Sequence, residues 1–77
     1  MPYEEFQRLI GKSGLSIKEF AVLLDMNANS ITNYKKNGKV PTTIAVIAVV
    51  ISDMKDDGLD FYPIFERVRA FRDQDSI

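Results

Sequence analysis

Amide, hydroxyl and amino side chains concentrate between residues 26 and 41. An asparagine carboxamide carries an acceptor and two donors, so it can pair with two atoms of an adenine edge at once. A lysine ammonium is a point charge that suits phosphate oxygens. The stretch holds three lysines and no acidic residue, as a phosphate-facing surface does. On charge alone, a solvated helix end that lacks acids explains the pattern equally well.

A helix that begins at about Ser16 precedes this polar stretch. Ser16 and Glu19 have the spacing of a capping box, in which each side chain accepts the backbone N–H of the other residue. One apolar face at helical spacing follows, formed by Phe20, Ala21 and Leu24. A turn is predicted at residues 25–27, because Asp and Asn compete for backbone hydrogen bonds.

A second helix, from about Ala28 to Lys36, carries most of the polar residues. Its inner face is predicted to hold Ile31 and Tyr34, which leaves the polar side chains on the remaining surface. Asn37 and Gly38 end this helix, because Gly adopts the left-handed conformation after a last turn without steric cost. The sequence therefore predicts two short helices with a sharp turn between them.

These two helices resemble the helix-turn-helix of the phage Cro and lambda-type (XRE-like) repressor family. The shared features include the small Ala21 in the first helix and the segment Thr32–Pro41, where an aromatic residue, basic residues, Gly and Pro follow in the family's order. They also include the spaced apolar set Phe20, Leu24, Met26, Ile31 and Tyr34. Asp25 departs from the family's usual Gly, and Asp takes the left-handed conformation at some cost. The resemblance covers residues 3–52 and the last third only loosely.

The resemblance implies a compact, all-α, lambda-repressor-like bundle of about five helices. The helix-turn-helix would span about 16–37, with its second helix in the major groove of double-stranded DNA. The expected base contacts are Asn27, Ala28, Asn29, Ser30, Thr32 and Asn33. The expected phosphate contacts are Ser16, Lys18, Lys35, Lys36 and Lys39. Asparagines also form turns and helix caps, and this structural role fits Asn27 best and the mid-helix Asn33 least.

Two further helices are predicted to complete the core. Residues 3–12 carry an apolar stripe at helical spacing. Residues 43–55 include the run IAVIAVVI, which by composition also suits a buried strand. Two alanines and the lack of a partner strand favour a helix, and the resemblance implies a core helix here. Its apolarity on almost all sides predicts that both sides are covered.

A last helix is predicted over residues 60–72. Its apolar stripe consists of Phe61, Ile64, Phe65, Val68 and Phe71. A chain of 77 residues is small for a domain, and exposed apolar stripes usually mark interfaces. We therefore expect this stripe to pack partly within the monomer and partly across a homodimer interface. The tail, residues 73–77, is expected to fray.

Composition narrows the possible functions. The chain has no Cys and no His, which removes disulfides, zinc fingers and the commonest general base. We expect no enzymatic activity, no cofactor and no metal. The longest apolar run is eight residues, far short of the roughly 20 that cross a membrane. No secretory signal is recognisable at the N-terminus. A single cytoplasmic domain over residues 1–77 is the expectation.

Charge is segregated along the chain. Residues 1–52 hold six basic and four acidic residues, a net +2, and residues 53–77 hold four basic and seven acidic residues, a net −3. The leading hypothesis is a sequence-specific DNA-binding transcriptional regulator, a small phage or bacterial repressor that binds a palindromic operator as a homodimer. The alternative is a protein-binding regulator of the same fold, such as an antitoxin, which the acidic C-terminal third keeps open.

Overall fold

Six helical segments account for most of residues 1–75, the part of the chain that this computed structural model describes. They are α1 (Tyr3–Lys12), α2 (Ile17–Leu23), α3 (Ala28–Thr32), α4 (Tyr34–Asn37), α5 (Thr42–Asp56) and α6 (Tyr62–Asp75). Only Asn33 separates α3 from α4, so the two behave as one helix with a tight turn in it. The predicted all-α class and the compact bundle of about five helices are confirmed.

The core lies where α1 packs against α5 and where α2 packs against α3 and α1. Phe6 of α1 and Phe20 of α2 are fully buried and meet edge to face, with ring centroids 5.4 Å apart. This is the arrangement that the ring quadrupoles favour. Ala21 is buried beside them, and its small side chain leaves room for α3. The helices that carry the polar residues therefore rest on an aromatic core.

The capping box at the start of α2 is present as predicted. The Ser16 hydroxyl accepts the Glu19 N–H at 3.1 Å, and Glu19 Oε1 accepts the Ser16 N–H at 3.0 Å. A cap of this kind contributes about 1 kcal/mol to helix stability. It fixes the point at which α2 begins and, through the core contacts of Phe20, the position of the turn that follows.

Residues 42–56 form a helix and not a strand, which settles the ambiguity of this apolar run. Its Ala48 and Ile51 are buried against the rest of the core. The described residues cover only one side of this helix, and the expectation that something covers the other side stays a prediction. Val46, Val49 and Val50 are exposed to solvent. Composition alone does not predict this exposure, because it does not show whether another part of the protein packs against the three valines.

α6 begins at Tyr62, two residues later than predicted, and the Asp60 carboxylate accepts the Tyr62 N–H at 3.0 Å. The helix continues to Asp75, so the expected fraying from residue 73 does not occur as far as residue 75. The remainder of that predicted tail, residues 76–77, lies outside the described residues. Phe61, just before the helix, is buried and anchors it to the core.

Exposed ion pairs link neighbouring elements in the part of the chain that the structure describes. Lys12 Nζ lies 2.6 Å from Asp56 Oδ2, which joins the ends of α1 and α5. Arg8 pairs with Glu5 on α1, and the guanidinium lowers the pKa of the Glu5 carboxyl. In addition, Arg72 Nη1 of α6 lies 3.0 Å from the carboxylate of Asp25, in the turn between α2 and α3. Exposed pairs of this kind add little to stability, because water screens the charges.

Candidate nucleic-acid interface

The turn between α2 and α3 is built on a residue in a left-handed conformation. Asp25 has φ +56°, and it is the one non-glycine residue with positive φ in the described part of the chain. The backbone N–H of Met26 donates to the Ala21 carbonyl at 2.8 Å, which closes the turn. Asp tolerates this conformation better than most residues do, although it still carries a cost. The turn predicted at residues 25–27 is present, and Asp25 takes the left-handed conformation there.

Asn27 caps the start of α3. Its side-chain oxygen accepts the backbone N–H of Asn29 at 2.8 Å, while its own backbone remains extended. One of the two ends of its carboxamide is therefore committed to holding the helix. The structural role that the sequence suggested for Asn27 is present, and only its amino group remains for another partner.

Asn33 occupies the junction between α3 and α4. Its N–H donates to the Asn29 carbonyl at 2.9 Å, and its own carbonyl accepts the Lys36 N–H at 3.1 Å. The second bond spans three residues, so the helix tightens at this point. The Asn33 side chain is exposed, and none of the helix caps requires it.

Burial divides residues 27–37 into an anchor and a polar surface. Ile31 is fully buried, and Ala28 and Tyr34 pack partly against the core. The exposed residues are Asn27, Asn29, Ser30, Thr32, Asn33, Lys35, Lys36 and Asn37. We call this set the polar face. Ala28 faces the core more than the other predicted base contacts do, which limits the surface that its methyl group offers.

The loop after α4 is tied to the start of the chain. Val40 is buried, and its N–H donates to the Met1 carbonyl at 2.9 Å, next to a β-bridge between Pro2 and Lys39. Gly38 has φ +70°, as predicted for the residue that ends this helix. These contacts hold Lys39 in an exposed position beside the end of the polar face.

Two residues of α1 belong to the same surface, and sequence reasoning missed them. An open cavity of about 500 Å³ brings Glu4 and Gln7 together with Lys35 and Gly38. Gln7 adds a carboxamide there, and Glu4 adds a negative charge close to Lys35. No local pattern signals this, because nearly thirty residues separate the two segments in the sequence and only tertiary packing joins them.

The two predicted phosphate contacts at the start of α2 stand apart from this cavity. Ser16 uses its hydroxyl oxygen as a cap, which leaves the hydroxyl proton available. Lys18 is exposed and lines a shallow cavity with Val22 of α2 and Tyr62 of α6. The structure thus puts Lys18 near the start of α6, and Lys35 near the start of α1.

The predicted interface stripe on the last helix divides into two groups. Phe61 is only 3% exposed and Phe65 packs partly against the core, so both serve the single chain. Ile64, Val68 and Phe71 are exposed. Phe61 has no surface left for a partner, because it lies before the helix begins and points into the body. The exposed stripe therefore begins at Ile64.

Nothing in the described part of the chain suggests a different chemistry. Among residues 1–75, no group of three or more acidic, His or Cys residues is arranged to hold a metal ion. Within the same residues, no helix has the length and apolarity needed to cross a membrane.

Comparisons with protein-family models, with curated proteins and with solved structures find no match to this chain.

Proposed function

We propose that this protein is a sequence-specific DNA-binding transcriptional regulator, a small cytoplasmic repressor of the phage Cro and lambda-type kind that binds a palindromic operator as a homodimer. The observation that carries the proposal is the polar face. A helix that turns eight polar side chains to solvent and no acidic one, on a rigid apolar anchor, suits entry into a major groove.

The residues have distinct roles in this proposal. Asn29 and Asn33 read adenine edges, because an Asn carboxamide pairs with N6 and N7 together. Ser30, Thr32 and the amino group of Asn27 are additional donors, and Ala28 offers an apolar contact to a thymine methyl. Phosphates are contacted by Lys35, Lys36, Lys39, Ser16 and Lys18, which position the protein without reading sequence.

Dimerisation follows from the size of one recognition helix. Such a helix reads only a few base pairs, so a single genomic site requires two helices about 34 Å apart along the duplex. The exposed apolar residues of α6 are the proposed surface that holds them there. A dimer bound in this way represses by covering the promoter.

A second candidate is a protein-binding regulator of the same fold, such as an antitoxin. The observation that favours it is the exposed apolar surface of α5 and α6, which suits any protein partner. The acidic C-terminal third adds charge that phosphate would repel. These features are equally compatible with a homodimer, whereas the polar face has no role in the alternative.

Selection of bound fragments from random DNA tests the proposal directly. Recovery of one palindromic sequence supports a dimeric, sequence-specific binder. Recovery of unrelated fragments, or of none, contradicts the proposal and leaves the protein-binding candidate.

The basic end of the polar face gives a quantitative test. Lys36→Ala should weaken binding to cognate and random DNA alike and reduce the slope of log K against log salt by about 1. Lys55→Ala is the matched control, because Lys55 is an exposed lysine on α5, beside Gly14 and away from the polar face. Equal effects of both substitutions, or no effect of Lys36→Ala, would show that Lys36 is merely solvated.

A further inference from the structure

The exposed apolar surface of this protein is not confined to α6. Val46, Val49 and Val50 of α5 are 54%, 39% and 47% exposed, and Ile64, Val68 and Phe71 of α6 are 47%, 60% and 63% exposed. Valines at i, i+3 and i+4 lie on one side of a helix. That side of α5 is therefore an apolar face that the described residues, 1–75, leave exposed.

The two apolar faces are continuous. A groove of about 370 Å³ runs between α5 and α6, and its walls include Val46, Val50, Ile64 and Val68. Val46 and Val50 also line a neighbouring cavity, of about 320 Å³, together with Val49. The valines are thus shared by both depressions, and one apolar surface extends from α6 across α5.

We propose that a second copy of this chain occupies this surface, so that the valine face of α5 is a central part of the homodimer interface. The inference rests on the homodimer of the proposed function and identifies the surface that forms it. The α6 stripe alone offers less surface than the sequence predicted, because Phe61 and most of Phe65 pack in the core. The proposed interface is therefore formed by α5 and α6 together.

Area supports this occupant. Six side chains with these exposed fractions present on the order of 500 Å² of apolar surface per chain, and two chains together reach the roughly 1,000 Å² that a specific interface requires. A small molecule that filled the groove would leave Val49 and Phe71 exposed, because neither residue lines it. A protein surface covers all six residues.

Charge supports a self-complementary pairing. Arg69 borders the groove on the α6 side, next to Arg72, whose guanidinium already pairs with Asp25 of the same chain. Asp53 is exposed one turn beyond Val49 and Val50 on α5. In a two-fold interface every contact between the two copies occurs twice, by symmetry. Asp53 of one copy is then a complement for Arg69 of the other.

Sedimentation equilibrium without DNA tests the inference. The wild-type chain should be dimeric, and Val46→Lys with Val50→Lys should raise the dimer dissociation constant on the order of 100-fold, because two ammonium groups would be desolvated at the centre of the interface. Val22→Lys is the matched control, since Val22 is a 59% exposed valine on α2 that lines neither depression. Its dimer should be unchanged.

A second measurement guards against loss of folding in the lysine variant. The chain contains no cysteine, so Val49→Cys carries a single environment-sensitive fluorophore, and Val22→Cys carries the same label as a control. The label at position 49 should shift to the blue as protein concentration rises, and the label at position 22 should not. Circular dichroism verifies that both variants stay helical.

Several outcomes overturn the inference. They are a wild-type chain that is monomeric up to about 1 mM, an effect of Val22→Lys as large as that of the double variant, or a label at position 49 that does not respond to concentration. Failure of the proposed function looks different. A dimer that depends on the valines but binds no DNA sustains this inference and contradicts DNA binding, whereas a monomer that binds DNA does the reverse.

Discussion

Two exposed helical regions of this small protein differ in what they turn to solvent. The α3–α4 region shows amide, hydroxyl and ammonium groups, whereas α6 shows Ile64, Val68 and Phe71. Polar side chains at a surface lose little on exposure, but large apolar ones gain when they are covered. The first region is stable as it stands and is ready for a polar partner. The second has the composition of an interface.

The two regions also differ in how they are anchored. Ile31 is buried at the centre of α3. The turn at Asp25, which leads into the capped start of α3, fixes the position of this helix. α6 is held at one end by Phe61 and near the other by the ion pair from Arg72 to Asp25. Preorganised groups lose less entropy on binding. The anchored polar region and the helix beside an open groove are thus suited to different partners.

The largest expected effect separates the inner and outer residues of the α6 region. Phe61→Ala should reduce the free energy of unfolding by about 3 kcal/mol, because it leaves a cavity in the core. Phe71→Ala, the matched control, should change the stability of the monomer by less than about 0.5 kcal/mol, since its ring is already exposed. Urea denaturation at low protein concentration measures both. Similar losses for the two variants would mean that α6 has no distinct outer face.

A substitution in the polar face tests the other side of the comparison. Asn33→Ala should cost about 1–3 kcal/mol of binding to the selected DNA and much less on random DNA, because a bidentate contact to a base is lost. Asn37→Ala is the comparison within the polar face, since Asn37 is exposed at the end of α4 and has no proposed base contact. Titration of both variants with the selected DNA and with random DNA measures these losses of binding free energy. Equal losses on both DNAs would assign Asn33 to positioning.

Local signals in the sequence predicted the frame of the polar face well. The capping box, the left-handed Asp25 and the end of α4 at Gly38 each depend on residues within one or two turns. Asn27 acts as the cap that its position suggested. Such features are readable because their partners are neighbours in sequence, and the hydrophobic period supplies the orientation of the helices.

Features that depend on distant segments were beyond the same reasoning. The burial of Phe61, the exposure of the three valines of α5 and the closeness of Glu4 to Lys35 all follow from how helices meet. The local sequence around an apolar residue does not show whether the residue packs within its own chain or against another chain. Of the predicted interface stripe, Ile64, Val68 and Phe71 are exposed, whereas Phe61 lies in the core and Phe65 packs partly against it; that the stripe forms an interface stays a prediction.

A third prediction concerns the link between the two regions. Asp25→Gly removes both the left-handed strain of an L-residue and the ion pair to Arg72. The strain relief exceeds the contribution of an exposed ion pair, so the variant should be more stable by about 0.5 kcal/mol. Asp25→Asn is the control, because it keeps tolerance of the left-handed conformation and loses the pair alone. If the glycine variant unfolds at a lower temperature than the wild type, the ion pair contributes more to stability than the left-handed strain costs.

The smallest expected effect tests whether Glu4 belongs to the proposed DNA-binding surface. The carboxylate shares a cavity with Lys35, so it lowers the positive potential at the edge of the polar face. Glu4→Gln should strengthen DNA binding by about 0.5 kcal/mol at low salt, the scale of interactions between exposed charges. The gain should fade as the ionic strength rises, because salt screens exposed charges beyond about 10 Å at 0.1 M. Glu66→Gln makes the same change in net charge at an exposed residue of α6, outside the polar face, and should leave DNA affinity nearly unchanged. If both substitutions strengthen binding equally, net charge alone is responsible. If neither does, the start of α1 faces away from the duplex and the DNA surface is limited to α3, α4 and the loop that follows them.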